Sequence, residues 1–215
     1  MFGWALEETP PLVKYNPVRD VRRVENVTDG FHTWTIDEVR QFEDRHPIGT
    51  QARLALALLL FTGVRRGDLV ELGPKNVRNG WLRFVPNKTR YKRATETAKP
   101  VLEILTRIIE ASPRGLTHYL VTQYGKPFTD NGFGNWFRDL CNEAGLPHCT
   151  AHGLRKCGAS LAAENGTTVN QLMAIYDWST PAQAKVYTDK ADRMRLAGEA
   201  MHMLASGHEE NELDQ

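Results

Sequence analysis

The run Leu54–Phe61, LALALLLF, constrains this chain more than any other feature. Eight consecutive apolar residues must be removed from water on every side, either in a bilayer or in a protein interior. A membrane span needs about 20 such residues, and here Arg65 and Arg66 follow almost at once. The run therefore predicts a buried core helix over roughly 51–62, ended by Gly63.

The rest of the chain supplies elements to surround that helix. Residues 1–30 open with Phe2, Trp4 and Leu6, then carry Pro10-Pro11, Asn16-Pro17 and Asp29-Gly30, turn signals too closely spaced for long elements. Thr35 followed three residues later by Glu38 predicts a capped helix reaching about 42–44. A short helix over 66–72 follows the core helix. Trp81–Val85 reads as a strand, with 90–98 as its partner across a turn that carries Lys88. Val101–Ala111 has Leu102, Leu105, Ile108 and Ile109 on one face, and Tyr119–Thr122 reads as a short strand. Helices are predicted near 130–144, 152–164, 168–176 and 181–188. A last helix over 192–204 bears a stripe of Met194, Ala197, Met201 and Leu204. The fold class expected is mainly α with a small antiparallel β-sheet (α+β).

Net charge is only +1, but its distribution is uneven. Between Lys75 and Lys99 stand Lys75, Arg78, Arg83, Lys88, Arg90, Lys92, Arg93 and Lys99 against the single acid Glu96. Such a patch can neutralise phosphates and release counterions. An acidic tail, Glu209, Glu210, Glu212 and Asp214, balances the total. Three cysteines, Cys141, Cys149 and Cys157, give no secreted disulfide framework and suit a reducing, cytoplasmic setting. Met1–Leu6 lacks basic residues and leads into Glu7 and Glu8, so no signal peptide is expected.

Several side chains could carry chemistry. Arg65 follows the end of an apolar helix, which would anchor its guanidinium at a groove; a solvated surface arginine is the commoner outcome for such a residue taken alone. His152 and Arg155 share a helical face at i,i+3, a pairing of proton carrier and bidentate phosphate clamp. Residue chemistry does not separate Tyr187 from Tyr176 as a nucleophile. His148, Cys149, His152 and Cys157 crowd into ten residues, yet zinc sites pair such a cluster with a distant second pair, and none is visible in sequence, so no metal is expected.

Taken in order, these pieces resemble the catalytic domain of the tyrosine recombinases, the phage-type integrases. Thr62-Gly63-Val64-Arg65-Arg66-Gly67-Asp68-Leu69 resembles the family's first arginine motif, with an acid three residues after the arginine. Lys88-Thr89 resembles its hairpin lysine, and His152-Gly153-Leu154-Arg155 its His-x-x-Arg motif. Trp178 and Tyr187, nine residues apart, resemble its His/Trp-to-Tyr ending. The usual Gly-His pair reads Asp177-Trp178 here.

The resemblance implies the tyrosine recombinase catalytic-domain fold over 31–190, preceded by a linker and remnant of an N-terminal core-binding domain at 1–30 and followed by a C-terminal helix and acidic tail at 191–215. It implies a site-specific recombinase that cleaves and rejoins DNA through a 3′-phosphotyrosyl link without a metal or other cofactor. Tyr187 would be the nucleophile, Arg65 and Arg155 phosphate clamps, Lys88 the general acid, His152 a proton-transfer partner, Trp178 a buttress and Asp68 a support for the His152 region. Arg66, Lys75, Arg90, Lys92 and Arg93 would contact double-stranded DNA. Self-association, as a tetramer on DNA, would run through the C-terminal helix; no membrane is involved, and the setting is the cytoplasm of a bacterial or phage-infected cell. The alternative is a DNA-binding regulator that has the recombinase fold and little or no activity.

Overall fold

The computed structural model describes residues 2–10, 12–16, 19, 30–90 and 95–204. Two units meet in sequence at Gly30/Phe31. The first contains α1 (Phe2–Glu7). The second runs through α2 (Ile36–Arg45), α3 (Gln51–Thr62) and α4 (Arg66–Leu69) into a sheet built from β1 (Val77–Arg78), β2 (Trp81–Phe84) and β3 (Thr97–Pro100), with the one-turn α5 (Asn87–Arg90) between β2 and β3. It continues through α6 (Glu103–Ala111), α7 (Asp130–Glu143), α8 (Ala151–Glu164), α9 (Val169–Tyr176) and α10 (Pro181–Ala200). The mainly helical chain with a small antiparallel sheet is the expected fold class. Among the described residues no helix is long and apolar enough to cross a membrane.

The apolar run forms α3 over the predicted span. Ala52 and Leu54 through Leu59 are all buried, and α6 and α8 pack against it. Burying a leucine contributes roughly 2 kcal/mol, so this helix anchors the unit. Thr50 caps its start by accepting from Arg53 N at 3.1 Å. Gly63 ends it at φ 59°, and a Cβ there would come within 2.6 Å of the Tyr176 ring. The position thus needs both a left-handed backbone and the absence of a side chain. A second layer of aromatic residues, Trp34, Phe42, Phe133 and Phe137, joins α2 to α7, with Phe42 stacked on Phe137 at 5.5 Å.

Threonine caps start most of the longer helices. Thr35 and Glu38 form the expected capping box of α2, Thr129 caps α7, Thr150 caps α8, and Thr168 with Gln171 forms a second box on α9. Each supplies an acceptor to a first-turn N–H that has no partner within its helix.

Several expectations about elements need correction. The strand partner of β2 is 97–100 rather than 90–98, in the register Leu82↔Lys99 and Phe84↔Thr97. Lys88 accordingly sits on the helical turn α5, not at the tip of a tight hairpin. The helix after Arg65 stops at Leu69, and 119–122 contributes one isolated bridge, Val121↔Pro127, instead of a strand. The helices expected at 181–188 and 192–204 are one helix, α10, followed by a 3-10 turn at Met201–Leu204. No Gly or Pro stands between Tyr187 and Asp192, so nothing in the backbone interrupts the ladder. On α6, Leu105 and Ile108 are buried while Leu102, at the cap, is exposed.

Candidate active site

The ends of several elements converge on one cleft. Arg65 is the N-cap of α4, held there by the stop of α3 two residues earlier. His152 and Arg155 lie on the first and second turns of α8, and Trp178 follows the C-terminus of α9. A cleft of about 580 Å³ is lined by Arg65, Arg66, Asp68, Lys88, His152, Arg155 and Trp178 among others. An adjoining depression of about 260 Å³ shares His152, Arg155, Trp178 and Gln183 with it and adds Tyr187 from α10. Motif residues spread over more than 120 positions thus border two connected hollows.

Arg155 is the buried member, 7% exposed. Its Nη2 donates to the Tyr176 carbonyl, while Nη1 is buried with no hydrogen-bond partner among the described residues. The guanidinium lies over Tyr176 at 5.0 Å and Trp178 at 5.9 Å. Burial, and then the nearby Arg65 charge, lowers its pKa to about 10, which still leaves it a cation at neutral pH. Trp178 stacks with Tyr176 at 4.9 Å and with Tyr187 at 5.4 Å, the latter ring nearly parallel to the indole at 9°. That stack fixes the ring plane of Tyr187. Burial raises the Tyr187 pKa, opposed by Arg155, so the resting phenol is neutral. His152 is pushed the other way: partial desolvation, then Arg155, Lys156 and Arg65, lowers its pKa. Phe31 packs on its ring at 4.8 Å.

Lys88 is exposed and borders the cleft from α5. The turn that carries it is fastened by Asn87, whose N–H donates to Asp68 Oδ1 at 2.7 Å and whose side chain donates to Gly67 O at 3.0 Å. Asp68, 4% exposed, also lies 4.0 Å from Arg65 Nη1. Its oxygens therefore tie the first arginine to the lysine segment, instead of the His152 region expected from sequence. Burial raises the Asp68 pKa, offset by the Asn87 bond and Arg65.

The five expected DNA contacts fare differently. Arg66 is held by Asp130 through two bonds of 2.5 and 3.0 Å, which raise its pKa. Arg90 pairs with Glu71 at 2.7 Å, and Lys75 is exposed; both border a separate small depression. Lys92 and Arg93 lie outside the described residues.

Sequence assigns no role in the site to Gln183, Lys99, Thr97 or Asp177. Gln183 borders both hollows. Lys99, 6% exposed, donates to Thr62 O at 3.1 Å and to Asp177 Oδ2 at 3.0 Å, and Thr97 donates to Asp177 Oδ1 at 2.7 Å. Burial lowers the Lys99 pKa, opposed by Asp177. Asp177 itself adopts φ 52°, the left-handed turn that ends α9 and presents Trp178. An aspartate where the resemblance calls for glycine is the signal that could have found this pair. The tight sequence cluster of His148, Cys149, His152 and Cys157 divides: His148 and Cys149 meet His32 and Glu38 instead.

Known proteins share this architecture. The integrase of Mycobacterium phage L5 is 29% identical over 177 residues, covering 71% of this chain and 47% of its own length. A probable integrase/recombinase of Acholeplasma phage L2 is 26% identical over 128 residues, covering 58% of this chain and 44% of its own length. The chain spans about half the length of these curated relatives. Among solved structures, a lambda integrase(75-356) dimer bound to a COC′ core site superposes with TM-score 0.69 at 20% identity, covering 87% of this chain and 68% of that one. The XerA recombinase superposes with TM-score 0.65 at 20% identity, covering 84% and 70%. Residues 34–194 match the phage integrase family, and the chain belongs to that family.

Proposed function

We propose that this chain is the catalytic domain of a site-specific DNA recombinase of the integrase type, cleaving and rejoining strands through a 3′-phosphotyrosyl link at Tyr187. The observation that carries the reading is the orphaned Nη1 of buried Arg155, a charged donor without a partner among the described residues, in a cleft that also holds Arg65, Lys88 and His152. A buried cationic donor left unpaired is costly, and a phosphate oxygen would satisfy it with charge-assisted bonds.

In this mechanism Tyr187 Oη attacks the scissile phosphorus and the bond to the 5′-oxygen breaks. The phenol proton passes to neutral His152, and Lys88 supplies a proton to the departing 5′-oxygen. Arg65 and Arg155 hold the non-bridging oxygens as charge builds on them; a fixed donor of this kind commonly contributes ~3 kcal/mol. Trp178 orients the Tyr187 ring and offers its indole N–H to a phosphate oxygen. Strand joining is the reverse attack, by a 5′-hydroxyl on the phosphotyrosyl link. Because the phosphodiester is exchanged for a phosphotyrosyl ester, bond energy is kept in the covalent link and rejoining needs no external energy source.

Double-stranded DNA is the proposed substrate, which fits the lambda integrase relative bound to a core site. Self-association is proposed through the end of α10 and the turn after it, where Met194, Met201 and Leu204 are 70%, 62% and 71% exposed. The functional test is covalent capture from a pool of nicked duplexes of randomised sequence, followed by peptide mapping of the denaturant-resistant adduct. Adduct on the Tyr187 peptide is expected. A chain that retains duplexes but yields no adduct is instead a DNA-binding regulator with this fold.

A further inference from the structure

Four donor groups from three separated stretches meet at the start of α8, outside the residues assigned to strand cleavage. His32 comes from the segment leading to α2, Glu38 from the first turn of α2, and His148 and Cys149 from the approach to α8. One donor atom of each lies within 4.8 Å of all the others. His32 Nε2 is 2.9 and 2.8 Å from the two Glu38 oxygens, and His148 Nε2 is 2.6 Å from Oε1. The two imidazoles meet edge to face at 4.8 Å, and the Cys149 side chain is buried beside them. Meanwhile Glu38 Oε2 is fixed by the Thr35 N–H at 2.7 Å, so the carboxylate cannot swing away without breaking the α2 cap.

We propose that His32, Glu38, His148 and Cys149 bind one zinc-class divalent cation, which staples the 31–38 segment to the start of α8. Two nitrogens, one oxygen and one sulfur make a four-coordinate donor set suited to zinc. Calcium and magnesium take oxygen ligands almost exclusively and are disfavoured by it. The charges also match, since a carboxylate and a thiolate neutralise a dication. Bonds of about 2.0–2.3 Å in tetrahedral array separate donors by about 3.3–3.8 Å. The imidazole–carboxylate contacts would open by about half an ångström from their present spacing, and the widest separations in the group would close by about 1 Å. Without metal, burial and the Glu38 charge push the Cys149 thiol up to about 12, so it stays protonated; binding takes the thiolate and releases one proton to solvent.

The staple would bear directly on the cleft. His32 O stands 2.0 Å from where a Cβ on Gly153 would lie, so the segment crosses α8 in close contact. Next to it, Phe31 packs on His152, and its carbonyl accepts from Lys156 Nζ at 2.8 Å. Fixing His32 therefore fixes the cover over the His152 ring. The metal site itself does not depend on the recombinase reading, since its measurement needs no DNA.

The test is cobalt titration of the full chain after chelator treatment and removal of the chelator. One equivalent of Co²⁺ is expected to bind with tetrahedral visible bands and a thiolate-to-cobalt charge-transfer band in the near ultraviolet, and Zn²⁺ should displace it and raise Tm. Cys149→Ser should abolish the charge-transfer band, while Cys157→Ser keeps it. His148→Ala, at a solvent-exposed ring, should weaken binding by at least about tenfold, since loss of even an outer-shell partner of a ligand costs 10–100-fold. Absence of stoichiometric cobalt binding by the unmodified chain overturns the site. So does a charge-transfer band that survives Cys149→Ser, or His148→Ala binding as tightly as the unmodified chain.

Discussion

Lys99 Nζ lies 3.0 Å from Asp177 Oδ2, an ion pair closed between a sheet strand and the turn that delivers Trp178. Because Lys99 also donates to the last carbonyl of α3, at Thr62, it ties the support of Arg65 to the support of Trp178. Removing one partner of a buried pair leaves the other uncompensated, which costs roughly 3–5 kcal/mol. Lys99→Met is expected near the low end of that range by urea unfolding, because Asp177 keeps its Thr97 bond. Lys99→Met combined with Asp177→Gly should recover most of the loss, since glycine suits φ 52° and no charge remains buried. Additive losses in that cycle would mean the pair is not coupled.

Gly63 offers a second test of the same corner. A methyl group there must both enter the left-handed region and overlap the Tyr176 ring, whose Cε1 would stand 2.6 Å away. The two effects together cost roughly 2–4 kcal/mol. Gly63→Ala should lower Tm and reduce strand cleavage together, because Tyr176 backs the Trp178–Tyr187 stack. Unchanged stability would show that the corner relaxes freely.

Lys88 is assigned the leaving-group proton. Lys88→Ala should slow cleavage of ordinary DNA by about 10²–10⁴-fold, the usual range for a general acid. A substrate with sulfur in the bridging 5′ position leaves without protonation and should restore the rate. A variant that stays slow on the sulfur substrate would remove Lys88 from this role.

His152 has a defined sign of pH dependence. Its folded pKa lies below the ordinary value of about 6.5. Its contribution to stability is therefore complete above that value and is lost as pH falls from there through the folded pKa. An NMR titration of the His152 ring should give a midpoint below about 6.5 in the free protein, moving upward when duplex DNA brings phosphate charge into the cleft. A free-protein midpoint at or above the ordinary value would contradict the arrangement.

The residues of the candidate site are easier to pick out in the sequence than the contacts that hold them together. The run 54–61 and the Thr35/Glu38 cap are local signals, and their helices form where they predict. Arg65, His152, Arg155, Trp178 and Tyr187 were legible only as an ordered set, since no single spacing distinguishes Tyr187 from Tyr176. Lys99 escaped because its burial depends on strand register: pairing with Leu82 turns it inward, and that pairing follows from a strand at 97–100 rather than 90–98. The motif gives the identity of Asp68 but not the neighbours its oxygens reach, so sequence points to the His152 region where the structure has Asn87 and Arg65. The His32, Glu38, His148, Cys149 group joins residues 110 positions apart, a distance over which no spacing rule operates.

Tyr187 carries the central claim, and one comparison tests it most directly. Covalent capture of a nicked duplex is measured for the unmodified chain and for Tyr187→Phe, with duplex binding measured in parallel. The phenylalanine ring can keep its stack on Trp178, now 5.4 Å away, so fold and DNA affinity should change little. The account predicts that the unmodified chain forms a denaturant-resistant adduct and that Tyr187→Phe forms none while still binding duplex. An adduct that persists in Tyr187→Phe would contradict it.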